Sequence, residues 1–366
     1  MTLAPIRPHP IVIWFGRVGD MILLSALLGL LHERYGARCF VVGAGAWISD
    51  IYKRHQDVEQ VWYLRRYTPF LVDAGWWRVF GALRRHRSEP IYICETDARK
   101  LKRIRWLLAL SRTSPDRCVF MNEELLAAES RGQPLEHWVD RLLSLGQRTP
   151  PALSQTDFQV PAGGARAPRL DVSAEDRART EEWLRAKGWY GRPLVLIQPG
   201  NRRTMRGKKL KRSAADDKAW PIETWAALLR RIHTALPNAV IVLVGAPKEA
   251  LLLGWIEEAA ALHSVATATL PLADLFALCA IAHSMISVDS GPAHAAAAVG
   301  LPLVVLFGAH SQREWLPRSA GSPVVGIGGP PVSRRLDQIS DETVFEAWLT
   351  LSGAQAGLGS RVGRRT

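Results

Sequence analysis

Residues Met285–Pro317 read MISVDSGPAHAAAAVGLPLVVLFGAHSQREWLP. Met285, Ile286 and Val288 predict a short apolar strand, which Asp289-Ser290-Gly291-Pro292 breaks. Ala293 to Val299 predicts a helix whose one large polar side chain is His294. Gly300 and Pro302 stop that helix, and the apolar run Leu303 to Phe307 is expected to be a buried strand. Ser290 or Gly291 serves as N-cap, and Pro292 suits the first turn, where a missing N–H costs little. The backbone N–H groups of the helix start then stand at the end of a strand, a place that suits a phosphate. The same residues also read as an ordinary strand–helix turn.

The same alternation runs outward from this stretch. Ile11 to Phe15 predicts a first strand, Gly16-Arg17-Val18-Gly19-Asp20 a turn, Met21 to Tyr35 a helix and Cys39 to Val42 a second strand. A βαβ opening implies a parallel sheet with its site at the strands' carboxyl ends. GRVGD lacks the GxGxxG spacing, so NAD binding is not expected. Further strands are expected at Val58–Tyr63, Ile91–Cys94 and Arg117–Phe120. Gln159 to Arg169 (QVPAGGARAPR) is the best linker candidate. Beyond it, helices are expected at Glu175–Lys187, Pro221–Leu236, Lys248–Leu262 and Leu272–Ala282, with strands at Leu194–Gln198, Ala239–Val244 and Val265–Ala268 between them. Asp341 to Leu351 is expected to be the last helix, followed by a basic tail. The fold class is therefore α/β, with two doubly wound, Rossmann-like domains at 1–165 and 166–352, a tail at 353–366, and ligands in the cleft between the domains' carboxyl ends.

Composition agrees and narrows the function. At ~150 residues per domain, a chain of 366 residues suggests two, and 48% apolar residues suffice for large cores. The net charge of +13 points to an acidic partner: nucleic acid, anionic membrane or phosphorylated substrate. Cys39, Cys94, Cys118 and Cys279 are far apart with no CxxC pair, which suggests a reducing compartment and no zinc knuckle. Pro5, Pro8 and Pro10 interrupt the N-terminus, so no signal peptide is expected, and no window approaches the ~20 uncharged apolar residues of a membrane span. The expected location is cytoplasmic.

Two basic, aromatic runs stand out, Trp76–Arg87 (WWRVFGALRRHR) and Arg99–Leu110 (RKLKRIRWLLAL). Trp76, Phe80 and Leu83 share a helical face. Such helices either lie on anionic lipid or present a solvated basic face behind a core-facing stripe. The loop Asn201–Arg212 (NRRTMRGKKLKR) is expected to dock a polyanionic acceptor through residues such as Arg202, Arg203 and Arg206, or to be a solubilising surface. It has no aromatics for base stacking, so a nucleic-acid partner is not expected. Asp20, just past the first strand, is either a proton acceptor for a substrate hydroxyl or a carboxylate favoured by its helix N-terminus. Lys218, just before a helix start, can neutralise a diphosphate.

Asp289-Ser290-Gly291-Pro292-Ala293-His294, then Gly300-Leu301-Pro302, Leu306-Phe307-Gly308 and Trp315-Leu316-Pro317, resembles the signature of glycosyltransferase family 9, the ADP-heptose:lipopolysaccharide heptosyltransferases. That family shows D-[ST]-G-x-x-H, G-x-P, L-F-G and W-x-P in this order. Gly19-Asp20 resembles the family's N-terminal G-D, and Asp216-Asp217-Lys218-Ala219-Trp220-Pro221 its D-D-K-x-W-P. Ser25-Ala26 departs from the Thr-Pro that members often carry after G-D.

The resemblance implies a GT-B fold with an N-terminal acceptor domain and a C-terminal donor domain. It implies inverting transfer of heptose from ADP-L-glycero-D-manno-heptose to a lipopolysaccharide core acceptor, an anionic phosphorylated glycolipid at the inner face of the inner membrane, without metal or cofactor. It assigns Asp20 as general base, Lys218 as the donor-phosphate cation, and Asp289, Ser290, Gly291 and His294 as the donor loop. Gly245, with Lys248 and Glu249, is expected to flank the adenosine, and Arg17 is expected on the acceptor side with Arg202, Arg203 and Arg206. Two alternatives remain at this stage: a transferase of the same fold using another nucleotide sugar or acceptor, and a non-catalytic nucleotide-sugar-binding protein.

Overall fold

The computed structural model describes residues 7–64, 73–123, 125, 136–155, 158, 166–201, 204–207, 209–210 and 219–359. The chain divides into two compact units, Met1–Asp171 and Val172–Thr366. Residues 166–171, placed by sequence with the second domain, stay with the first. Leu170 is buried there, and the Arg169 backbone N–H donates to Ser25 Oγ at 2.8 Å. Ser25 itself is buried and donates to the Ile22 carbonyl, so the serine that departs from the family pattern ties the end of this unit to its first helix.

In chain order the first unit contains β1 (Ile11–Ile13), α1 (Val18–Tyr35), β2 (Cys39–Ala44), α2 (Ile48–Tyr52), β3 (Val58–Leu64), α3 (Ala74–Arg85), β4 (Ile91–Ile93), α4 (Ala98–Leu110), β5 (Cys118–Phe120) and α5 (Trp138–Gln147). Its sheet is parallel throughout, in the order β3-β2-β1-β4-β5. The residues of β1 and β4 are fully buried, as expected for strands covered on both faces. Helix α1 begins earlier than its apolar run, because Val18 and Gly19 already have helical backbone, and it ends on Gly36 at φ 63°, whose N–H returns to the His32 carbonyl. Helices α3 and α4 pack on one face of the sheet, where Trp76, Val79 and Leu83 meet Leu101, Ile104 and Leu107 over Ile11, Ile13 and Ile93.

The second unit contains α6 (Ala174–Ala186), β6 (Leu194–Gln198), the short hairpin β7 (Met205–Arg206) and β8 (Lys209–Leu210), α7 (Ile222–Ala235), β9 (Val240–Val244), α8 (Ala250–Ala260), β10 (Val265–Ala268), α9 (Leu272–Ile281), β11 (Ser284–Val288), α10 (Gly291–Ala298), β12 (Leu303–Phe307), α11 (Gln312–Trp315), β13 (Val324–Gly328) and α12 (Asp341–Gly359). Its main sheet is parallel, in the order β10-β9-β6-β11-β12-β13. Three expectations change in detail. Pro221 is the N-cap of α7 rather than its first residue. The helix expected from Lys248 opens instead with a 3-10 turn, Pro247–Glu249, because Pro247 starts a tight turn before α8. The last helix runs on past Leu351 to Gly359, into the stretch 353–366 expected to be a basic tail.

In each sheet the chain reverses its direction of progress once. In the first unit it steps from β1 outward to β2 and β3, then returns to β4 on the other side of β1. In the second it steps from β6 to β9 and β10, then returns to β11. At such a point neighbouring connections leave in opposite directions and open a crevice beyond the strands' carboxyl ends.

Candidate active site

The switch point of the first unit lies between β1 and β4. After β1 the chain turns at Gly16, and a Cβ there would stand 2.6 Å from Asp20 Cβ. Only glycine admits the carboxylate at this closeness. Asp20 sits at the third position of α1, and its Oδ2 accepts the Arg17 backbone N–H at 2.7 Å. After β4 comes Glu95, a buried carboxylate whose Oε1 accepts the N–H groups of Thr96 and Asp97, both at 3.1 Å. Asp97 caps α4, and in the first turn of that helix Lys100 reaches back across the switch point. Its Nζ donates to the Phe15 carbonyl at 2.9 Å and lies 3.3 Å from Glu95 Oε2. Burial holds the Asp20 carboxyl above its ordinary value; the Arg17 N–H bond and the charges of Arg17 and Lys100 oppose this, and Glu95 adds to it. The result is a half-buried carboxylate with a raised proton affinity at the mouth of a crevice, which suits a general base.

The switch point of the second unit lies between β6 and β11. Gln198, the last residue of β6, is buried and donates from Nε2 to the Gly200 carbonyl at 2.8 Å. Its strand partner on β11 is Ser287, whose Oγ lies 3.1 Å from Ser290 Oγ. Ser290, extended at φ −157°, is the N-cap of α10, and Pro292 sits in the first turn. The N–H groups of that turn have no intrahelical acceptor, and the helix dipole favours an anion there. Asp289 is held from both ends. Its N–H donates to the Leu306 carbonyl at 3.0 Å, and its Oδ2 lies 2.8 Å from Nδ1 of His310, just beyond β12. His294 is 5% exposed, packed in α10 behind the loop.

Beside this crevice, the turn that opens α8 points Glu249 back toward the strand ends. Oε2 accepts the Ala246 N–H at 2.7 Å. Oε1 is buried and has no hydrogen-bond partner among the described residues. Cβ atoms added at Gly200 and Gly245 would lie 3.1 and 3.4 Å from the Glu249 carboxylate oxygens, so both strand ends are trimmed around it. Burial raises the Glu249 carboxyl above its ordinary value, against the Ala246 N–H bond and the nearby Lys248 charge.

Lys218, Arg202 and Arg203 lie outside the described residues. Arg206 lies in β7, and Arg17 is exposed at the N-cap of α1. Two residues after Lys218 the chain is anchored by Trp220, which is 1% exposed, donates from Nε1 to the Ile339 carbonyl at 2.9 Å and meets Trp225 edge to face. The structure thus brings Asp289, Ser290 and Gly291 to one crevice, with Gly245 and Glu249 at the neighbouring strand ends and Asp20 in the other unit. Sequence reasoning missed Lys100, Glu95, Gln198 and His310. The only signal for His310 was its place two residues past Leu306-Phe307-Gly308.

The sequence pattern of glycosyltransferase family 9 (heptosyltransferase) matches residues 128–334, more than half of the 366 residues. The chain belongs to this family. No curated protein sequence matches it. Among solved structures, it is similar to the family 9 glycosyltransferase from Veillonella parvula DSM 2008, at 17% identity and TM-score 0.71 over 94% of this chain and 97% of that one. It is similar to the ADP-heptose lps heptosyltransferase II of E. coli at 20% identity and TM-score 0.69, over 95% and 99%. It is also similar to E. coli heptosyltransferase WaaC with ADP, at 17% identity and TM-score 0.59, over 92% and 98%. The two parallel α/β units are those of the GT-B fold of family 9, and the chain is a glycosyltransferase.

Proposed function

We propose that this family 9 enzyme moves a heptose, with inversion, from ADP-L-glycero-D-manno-heptose to a lipopolysaccharide core acceptor. The observation that carries this reading is the β6/β11 crevice, where a helix N-terminus, the Asp289–His310 pair and the buried Glu249 carboxylate gather at neighbouring strand ends. The ADP held by the E. coli WaaC structure supports an adenosine diphosphate donor.

In this reading the second unit holds the donor. Glu249 Oε1 accepts a hydroxyl of the nucleoside, and Gly245 lets the nucleoside approach. The N–H groups of Ser290 and Gly291 and the first turn of α10 receive the diphosphate, with Lys218 as the phosphate cation and His294 supporting the loop from behind. The first unit holds the acceptor. Asp20 takes the proton of the acceptor hydroxyl as its oxygen attacks the anomeric carbon, and the bond from that carbon to the ADP oxygen breaks on the opposite face. Fixed N–H dipoles and Lys218 stabilise the charge that develops on the departing ADP, so a divalent cation is not required by the chemistry. Arg17, Arg202, Arg203 and Arg206 meet the acceptor's phosphates.

The test is a panel of nucleotide sugars and acceptors read by released ADP or other nucleoside diphosphate. The reading expects acceptor-dependent release of ADP from ADP-heptose with a phosphorylated lipopolysaccharide core. Faster turnover of a different nucleotide sugar would replace the donor assignment. Nucleotide-sugar binding without release for any acceptor would favour a non-catalytic binder.

A further inference from the structure

The paired helices α3 and α4 carry a surface that the sugar-transfer chemistry does not use. Their segments, AGWWRVFGALRR and ARKLKRIRWLLAL, contain no acidic residue. The inward stripe is conventional: Trp76, Val79 and Leu83 of α3 and Leu101, Ile104 and Leu107 of α4 are buried in one core cluster. A helix that only covers a core would be polar on its other face. Here Trp77 is 49% exposed, Trp106 45% and Leu110 39%. These are three of the seven exposed large hydrophobic residues among those described, gathered on two neighbouring helices. Around them the exposed cations are Arg78, Arg84 and Arg85 on α3, Arg87 just after it, and Arg99, Lys102, Arg103 and Arg105 on α4.

From this we infer that the outer face of α3 and α4 docks on an anionic lipid surface. Tryptophan is the side chain best suited to the headgroup boundary, where its ring is desolvated and its N–H stays wet. The arginines and lysines meet lipid phosphates, with long stems that let their heads reach outward while apolar neighbours settle deeper. One contribution without the other binds weakly; cations interleaved with insertable side chains on amphipathic helices supply both. Single-stranded nucleic acid would also use cations and aromatic rings, but Leu110 offers it no stacking surface. The inference rests on these two helices alone and stands whichever sugar the enzyme transfers.

The experiment is co-sedimentation of the full chain with vesicles of phosphatidylcholine alone, or of phosphatidylcholine mixed with phosphatidylglycerol, at near-physiological salt. Wild type is expected to sediment with the mixed vesicles and to remain in solution with phosphatidylcholine alone. The triple variant Trp77→Ala, Trp106→Ala, Leu110→Ser is expected to lose binding about tenfold or more. The pair Lys102→Gln, Arg103→Gln is expected to lose about fivefold for each cation removed. If circular dichroism shows the triple variant misfolded, Trp106→Ala alone and the cation pair carry the test. Failure of wild type to sediment would overturn the inference. So would wild-type binding by the triple variant, or binding by wild type to a duplex or single-stranded oligonucleotide in preference to the mixed vesicles.

Discussion

The side-chain nitrogen of Lys100 donates to the carbonyl oxygen of Phe15 at 2.9 Å, joining the start of α4 to the turn that carries Asp20. The same nitrogen lies 3.3 Å from Glu95, so one cation ties both sides of the β1/β4 switch point together. Lys100 is therefore a positioning residue for the proposed base, and its charge also lowers the proton affinity of Asp20. Lys100→Met is expected to raise the Asp20 pKa and move the acidic limb of the kcat/KM profile to higher pH. Lys100→Arg, which keeps the charge, is expected to restore most of the limb's position. An unmoved limb in Lys100→Met would show that Lys100 has only a structural role.

Asp20 also links function to stability. Its carboxyl is held above the ordinary value of 3.8, chiefly by burial, so the folded chain binds the proton more tightly than the unfolded chain. Stability from this group is full below 3.8 and is lost as pH rises through the higher folded value. Asp20→Asn keeps an oxygen for the Arg17 N–H but removes the buried charge. Thermal melting is expected to show a higher midpoint than wild type at neutral pH, with the difference vanishing in acid below the ordinary carboxylate value.

Gly16 tests how closely the base must be placed. With Asp20 Cβ 2.6 Å from where a Gly16 Cβ would stand, Gly16→Ala has to push the carboxylate aside or bend the turn. A displacement near 1 Å costs on the order of 10²-fold in rate when a reacting group is involved. Steady-state transfer kinetics are expected to show that loss in kcat, while ADP affinity, which the proposed function assigns to the other unit, is expected to stay unchanged.

Glu249 makes the complementary prediction for the donor. Glu249→Gln retains an acceptor for the Ala246 N–H and loses the charge behind Oε1. Hydrogen bonds to charged groups contribute roughly 1.5–3 kcal/mol, so calorimetry is expected to show ADP binding weakened by about tenfold to a hundredfold. Removal of a buried carboxylate whose proton affinity is raised by burial is expected to stabilise the apo fold at neutral pH.

Trp220 anchors the chain two residues after Lys218. Trp220→Phe removes the donor to the Ile339 carbonyl and leaves that acceptor buried, at a cost of about 1–3 kcal/mol in denaturant unfolding.

The fold is legible in the sequence because its strands are short, mostly apolar runs set between helices, a pattern with few solutions other than a buried parallel sheet. Leu194–Gln198 and Leu303–Phe307 have the bounds read from sequence. The helix starts are less legible. Val18 and Gly19 are poor helix formers, yet they begin α1 because Asp20 folds back on the Arg17 N–H. The helix expected from Lys248 opens with a 3-10 turn, Pro247–Glu249, and that turn is what points Glu249 at the strand ends. Local motifs made Asp20 and Asp289–Gly291 visible. Lys100 and Phe15 are 85 residues apart, and nothing local to either announces the other. Their meeting depends on strand order, which places β4 beside β1, and local pattern does not state strand order. His310 and Asp289 meet for the same reason, because β12 lies beside β11.

In the proposed reaction Asp20 is the base of an ADP-releasing sugar transfer. This role is tested most directly by acceptor-dependent release of ADP from ADP-heptose in wild type and in Asp20→Ala, with ADP binding measured on both. Wild type is expected to release ADP, Asp20→Ala to lose about 10²–10⁴-fold in rate, and both to bind ADP equally well. Full turnover by Asp20→Ala would contradict this role.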